Sequence, residues 1–204
     1  MHPGDIKYAD LSGPNGTPDG KIDSNDQTRI GYPVYPEMTF GLTPELNWKN
    51  FDITLFFQGS AHATINTYNF MTVPFFNNGS NTSYEYFDNR WTVDNQAAKY
   101  PRSTPAPYAN NNGTTTTASA AGNTSDFWMA NTGFLRLKTA TIGYTVPKMI
   151  TDRIHIASVR VYVTGQNLLT FSKLKHIDPE VGYTNLDVAY PVKKNTTFGL
   201  DVTF

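Results

Sequence analysis

The 204-residue chain has no cysteine. That excludes a disulfide framework, thiolate metal sites and a cysteine nucleophile. Charge is scarce as well: 16% of residues are Asp, Glu, Lys or Arg, against about 25% in an ordinary soluble domain. The formal net charge is −1, so no basic field exists to hold nucleic acid through its phosphates. No apolar run reaches the roughly 18 residues of a transmembrane helix, and Met1-His2-Pro3-Gly4-Asp5 does not read as a secretory leader. Catalytic signatures are missing: no HExxH, GxSxG, P-loop or GxGxxG occurs. His2, His62, His155 and His176 are scattered without metal-ligand spacing. Asp178 and Glu180 flank a proline, but a carboxylate pair in a loop is weak support for glycosidase chemistry. Long apolar stripes of helical period are also lacking.

What the chain does have is period-2 alternation, in blocks bounded by turn residues. From Met38 to Trp48, Met38, Phe40, Leu42, Leu46 and Trp48 share one face. Lys49-Asn50 reads as a tight turn, and Phe51, Ile53, Leu55 and Phe57 follow on one face of a second strand, giving a hairpin. A third block runs from Phe134 to Val146. Its apolar parity switches from Leu135 and Leu137 to Ala140, Ile142 and Tyr144. A one-residue switch of this kind predicts a β-bulge, placed near Lys138 and Thr139. Ala157 to Leu168 forms a fourth block, with Val159, Val161 and Val163 in phase, and Asn195 to Phe204 a fifth, with Phe198, Leu200, Val202 and Phe204 in phase.

Connections between these blocks alternate between short and long. The long one from Gly59 to Gly133 is rich in Asn, Thr and Gly, and roughly 75 residues without elements of their own fit a compact soluble domain poorly. Short and long connections in alternation are the pattern of an outer-membrane barrel, and mean hydropathy of −0.42 is compatible with one. The predicted fold class is therefore all-β: an antiparallel transmembrane barrel segment of about five strands. Four stretches organise it: 1–36 as an outer loop with a calcium-like turn, 37–59 as a hairpin, 60–132 as a long outer loop and 133–204 as the last three strands. A secreted β-sandwich that binds carbohydrate is the alternative fold, with the alternating faces forming a two-sheet core.

The ordered set of short motifs is similar to the C-terminal part of SusC/RagA-type TonB-dependent outer-membrane transporters. The matching residues are Pro3-Gly4-Asp5-Ile6-Lys7-Tyr8, Asp19-Gly20-Lys21-Ile22-Asp23, Asn50 to Ile53 with Phe57-Gln58-Gly59-Ser60, and Asn89-Arg90-Trp91-Thr92 with Tyr100-Pro101-Arg102. Further along they are Phe134 to Lys138 with Gly143 to Pro147, Arg160-Val161-Tyr162 with Gly165 to Thr170, Asp178-Pro179-Glu180, Tyr190-Pro191 and Phe198 to Phe204. The resemblance implies a 22-stranded barrel with a plug and a TonB box, of which this chain resembles only the last part. It implies location in the outer membrane of a Gram-negative, Bacteroidetes-type bacterium. It also implies a SusD-like surface lipoprotein partner, energy from the TonB complex, contact with outer-membrane lipid, and an oligosaccharide or peptide ligand. Five strands cannot close a barrel, since bacterial examples begin at about 8 strands; the chain alone is not expected to be a working unit. With Phe204 in the periplasm, both short turns fall on the periplasmic side and both long connections outside.

Candidate site residues follow. Asp10, Asp19, Lys21 (through its carbonyl) and Asp26 resemble a calcium loop, in which oxygen ligands alternate around a turn glycine, here Gly20. The alternative is an Asp/Gly/Pro turn without metal. Tyr84, Tyr86, Trp91 and Trp128, with Arg90, are candidate ligand contacts, the rings by stacking and the guanidinium by pairing with carboxylates. Packing of the loop layer onto itself is the alternative, for these as for Phe87, Tyr100, Tyr108, Phe127 and Arg102. Trp48, Phe51, Tyr144 and Phe204 read as an aromatic girdle. Arg136, Lys138, Arg160 and Asp201 fall on the opposite face, assigned to the lumen.

Overall fold

The computed structural model describes residues 3–67, 83–103, 125–174, 177–180, 190 and 192–204. They fall into two compact units. One lies within Met1–Gly31 and Ile65–Ala130, the other within Tyr32–Thr64, Asn131–Gly182 and Val188–Phe204.

The second unit is built on an antiparallel sheet. Its strands are β1 (Met38–Leu42), β2 (Glu45–Trp48), β3 (Phe51–Ala61), β6 (Phe134–Thr145), β7 (Ser158–Ser172) and β8 (Asn195–Thr203). The order is β1-β3-β6-β7-β8, with β2 also on β3. Two short strands, β4 (Thr64–Asn66) and β5 (Met129–Asn131), pair with each other. A β-sandwich core requires a second broad sheet, and among the described residues the second sheet has only these two strands.

The block from Met38 to Trp48 is two strands rather than one. Pro44 has no N–H to give to the ladder, so pairing lapses at Thr43-Pro44. The proline carbonyl still accepts from Leu55 N at 3.0 Å, and the register against β3 is the same on both sides, Leu42 opposite Phe57 and Glu45 opposite Thr54. The Lys49-Asn50 turn forms as expected, with Lys49 at φ +55°. Asn50 also ties the turn to the end of β6: its Nδ2 donates to the Thr145 carbonyl at 2.8 Å, and its carbonyl accepts from Thr145 N at 2.8 Å.

The bulge predicted near Lys138 and Thr139 is present. Against β3, Phe56 pairs with Thr139 and Phe57 with Leu137, leaving Lys138 as the extra residue. A second bulge on β7 follows at the same level, where Leu137 pairs with Leu169 but Thr139 with Gln166. Asn167 takes the left-handed conformation there, φ +54°, which asparagine tolerates better than most residues. This second bulge lets β7 continue past Leu168 to Ser172 while keeping Leu169 and Phe171 on the apolar face.

Glycines on the polar face make room for side chains that cross the strands. A Cβ on Gly143 would come within 2.6 Å of Arg160 Nη2 and overlap the Asp52 carboxylate; one on Gly199 would overlap the Tyr162 ring. Overpacking of this kind costs about 1–3 kcal/mol. Gly143→Ala in the full-length protein is therefore expected to lower unfolding stability by that order. Gly41→Ala, whose Cβ would find its nearest neighbour at 3.4 Å, is expected to be nearly neutral. Denaturant titrations of both variants check this, and equal effects would contradict it.

Candidate functional site: a paired polar face and an open apolar face

In the sheet, Leu42, Leu46, Trp48, Phe51, Ile142, Val161, Leu169, Phe171, Phe198 and Leu200 all point to one side, and all are exposed. Four of the girdle residues expected from the sequence are at one end of this face: Trp48 opposite Phe51, Phe51 opposite Tyr144 with ring centroids 4.8 Å apart, and Phe204, 91% exposed. The apolar payload is thus turned outward and left uncovered, the reverse of a water-soluble sheet.

The other face is polar, and its cations are paired. Arg160, on β7, reaches across β6 above Gly143 to Asp52 on β3, Nε to Oδ1 at 3.0 Å and Nη2 to Oδ2 at 2.6 Å. Its Nη1 also reaches Asp201 on β8 at 3.3 Å, so one guanidinium links β3 and β8 to β7. Nearer the other end, Arg136 meets Asp178 and Glu180, and Lys138 meets Glu180 at 2.7 Å. Thr141 and Thr164 share a hydroxyl hydrogen bond of 2.9 Å between these clusters. All four residues assigned to the polar face from the sequence, Arg136, Lys138, Arg160 and Asp201, are in these networks. Their partners Asp52, Asp178 and Glu180 were missed. The available signal was charge balance: three cations on one face demand anions, and Asp178-Pro179-Glu180 supplies two in adjacent sequence.

In the first unit the aromatic candidates divide. Tyr86 and Trp128 are buried, Trp128 to 2% exposure, and so cannot stack on a ligand. Ser83 caps helix α1 (Tyr84–Asn89) by accepting from Tyr86 N, which turns Tyr86 inward. The Tyr86 hydroxyl donates to the Pro101 carbonyl at 2.7 Å, and burial pushes its pKa far up. Trp91 packs against Gly4, where a Cβ would lie 2.6 Å from the indole. Arg90 stacks on Phe87 at 3.9 Å and donates to the Phe87 carbonyl. Arg102 pairs with Asp5 at 2.6 Å. Packing of the loop layer therefore accounts for Tyr86, Trp91, Trp128, Arg90 and Arg102, while Tyr84 stands 86% exposed. Tyr108 lies outside the described residues.

The calcium-like loop is held without metal geometry. Asp10 accepts from Asp19 N at 3.3 Å and Gly20 N at 2.6 Å. Asp19 accepts from Lys21 N at 3.0 Å. Asp26 accepts from Leu11 N at 2.7 Å, Ser12 N at 3.1 Å and Asp23 N at 2.8 Å. These carboxylates face N–H protons, whereas a calcium cage turns oxygens toward the ion. Among the described residues no group of three acidic or histidine side chains is placed to hold a metal. The carboxylates of Asp10, Asp19 and Asp26 here serve as acceptors for backbone amides, as in Asx turns.

An antiparallel sheet with one open apolar face, one polar face laced with ion pairs, short turns at one end and long connections at the other defines a section of a β-barrel wall. No family model matches the chain. It is 32% identical over 199 residues to TonB-dependent receptor P3 of Formosa agariphila, covering 98% of this chain and 17% of that protein. TonB-dependent receptor P26 of the same organism is 32% identical over 215 residues, covering 98% of this chain and 20% of that protein. TonB-dependent receptor SusC of Bacteroides thetaiotaomicron is 29% identical over 195 residues, covering 91% and 17%. Among solved structures, the RagAB peptide transporter superposes with a TM-score of 0.62 at 24% identity, over 90% of this chain and 19% of that one. The closed-closed state of the RagAB peptide importer gives 0.63 at 22%, over 94% and 20%. Over nearly its whole length the chain is similar to TonB-dependent receptors, SusC among them, and it spans about a fifth of the length of the relatives it matches. Those relatives are named as receptors and transporters.

Amides from Asp23 and Ser12, with a smaller contribution from Leu11, hold the Asp26 carboxyl below its ordinary 3.8. A group depressed in the folded state stabilises above its ordinary pKa, and that stabilisation is lost as pH falls through the folded value. The amides of Leu11 and Ser12 are therefore expected to stay protected from hydrogen exchange down to about pH 4 and to open only below it. Asp26→Asn is expected to weaken that protection at neutral pH. Protection lost already near pH 5 would contradict the assignment.

Proposed function

We propose that this chain forms part of the wall and outer loops of an outer-membrane importer in a Gram-negative, Bacteroidetes-type bacterium. The whole transporter takes up an oligosaccharide or a peptide together with a SusD-like surface lipoprotein and is driven by the TonB complex. The observation that carries this reading is the open apolar face. A strand row ending in Phe198, Leu200, Val202 and Phe204 makes sense against lipid, where apolar side chains need no further cover. Likeness to SusC, and likeness of fold to a structure described as a peptide transporter, support import, and the second of these supports a peptide among the ligands. In this reading Tyr84 is the ligand contact retained from the sequence candidates. The sheet's two edges, β1/β2 and β8, leave backbone groups unpaired within the described chain, and in lipid these must be met by further strands of the same barrel.

Fractionation of the native organism, followed with an antiserum raised against this sequence, tests the proposal. The antigen is expected in the outer-membrane fraction and to leave it only with detergent; recovery in the soluble fraction without detergent would overturn it. In the full-length protein Leu200→Arg, on the apolar face near the middle of β8, is expected to cost about 2–4 kcal/mol and to cut the folded yield, while the opposite-facing Thr197→Arg costs less.

A further inference from the structure

The two ionic networks on the polar face differ in what they hold. Arg160 joins strands to one another. Arg136 and Lys138 instead hold a turn that is not part of the sheet. Asp178-Pro179-Glu180 lies beyond the end of β7, and Glu180 N donates to Asp178 Oδ1 at 2.9 Å, a local bond that turns both carboxylates the same way. Arg136 then uses every nitrogen of its guanidinium. Nη2 lies 2.8 Å from both Asp178 oxygens, Nη1 donates to Glu180, and Nε donates to Thr170 Oγ1 at 2.9 Å. Lys138 Nζ reaches Glu180 Oε1 at 2.7 Å and Oε2 at 2.9 Å. The Arg136 side chain is 3% exposed, so its charge depends on these partners rather than on water. Two cations meet two anions, and the cluster is neutral.

A second contact acts on the far side of the same connection. The β7 bulge puts Asn167 in the left-handed conformation, and its Nδ2 donates to the Lys193 carbonyl at 3.1 Å, two residues before β8 begins. The connection from β7 to β8 is therefore anchored near both of its described ends, and both anchors sit at the level of the paired bulges.

We infer that Arg136 and Lys138 are positioning residues, forming a latch that pins the 177–180 turn onto the polar face of β6 and β7. Removing one member of a buried ion pair leaves the other charge desolvated and uncompensated, so the turn cannot stay docked once its carboxylates are gone. The latch itself follows from the contacts. Its consequence, that the turn shapes the lining of the barrel at the long-connection end, rests on the importer reading above.

Hydrogen exchange read by mass spectrometry on the full-length protein tests it, in detergent or in buffer according to where that protein fractionates. Asp178→Asn with Glu180→Gln leaves the wall residues untouched. It is expected to raise exchange at the amides of Ile177, Asp178 and Glu180 at least tenfold, with β3 and β8 unchanged. Arg136→Lys keeps the charge but loses the three-nitrogen fan, and an intermediate rise is expected. Exchanging the partners, Arg136→Asp with Asp178→Arg, is expected to recover part of the protection lost in Arg136→Asp alone. Unchanged exchange at 177–180 in the carboxylate variant would overturn the latch. So would a rise spread evenly over β3, β6, β7 and β8, which would make the cluster a general wall contact. Failure of the importer reading shows in the fractionation instead, and leaves this exchange pattern to stand or fall alone.

Discussion

The register of β6 against its two neighbours is the constraint on which both faces of the sheet depend. Side chains on a strand alternate with period two, so a slip of one residue exchanges the faces. β6 changes parity at Lys138, and its neighbours must accommodate that change or bring polar groups onto the apolar side. On the β3 side Lys138 is left over as the extra residue; on the β7 side Asn167 absorbs the mismatch in a left-handed conformation. The apolar row then runs unbroken through Leu137 and Ala140 on β6 and through Leu169 and Gly165 on β7. The same strand presents Arg136 and Lys138 to the opposite side.

On that opposite side each cation is paired with a carboxylate. Arg160 can reach Asp52 across β6 because Gly143 has no side chain between them. Tyr162 lies over Gly199 for the same reason. Charged groups at a partly dry face cost free energy unless their hydrogen-bonding capacity is filled, and here the arginines fill it with carboxylates from other strands or from the 177–180 turn. The first unit applies the same logic with backbone donors: the carboxylates of Asp10, Asp19 and Asp26 fold a loop around amides rather than around an ion.

Much of the sheet was legible in the sequence because alternation and turn residues act locally. The five blocks, the Lys49-Asn50 turn and the Lys138 bulge are all read from neighbours within a few positions. The break at Pro44 was not anticipated, although a missing N–H is a local fact, because the apolar alternation runs straight through it. The extension of β3 to Ala61 was hidden by Gln58-Gly59-Ser60, whose small and polar residues blur the pattern while the ladder to β6 holds them in strand. The aromatic candidates could not be told apart in the sequence for a different reason. Whether Tyr86 or Trp128 faces a ligand or a core is decided by tertiary packing, and Tyr84 and Tyr86 look alike until a helix turns one outward and the other in. The polar-face cations were placed correctly by parity alone, but their partners come from 41 residues away for Asp201, 42 for Asp178 and 108 for Asp52, a distance at which one sequence carries only charge balance as a clue.

The two-faced sheet is the central claim, and β8 offers the most direct test of it. In the full-length protein in its membrane, single reporter cysteines placed along Thr197, Phe198, Gly199, Leu200, Asp201 and Val202 can be probed with a lipid-soluble and a water-soluble thiol reagent. Alternating reactivity is expected, with positions 198, 200 and 202 labelled from the lipid phase and 197, 199 and 201 from the aqueous side. Uniform aqueous labelling along the strand, or alternation in the opposite phase, would contradict the account.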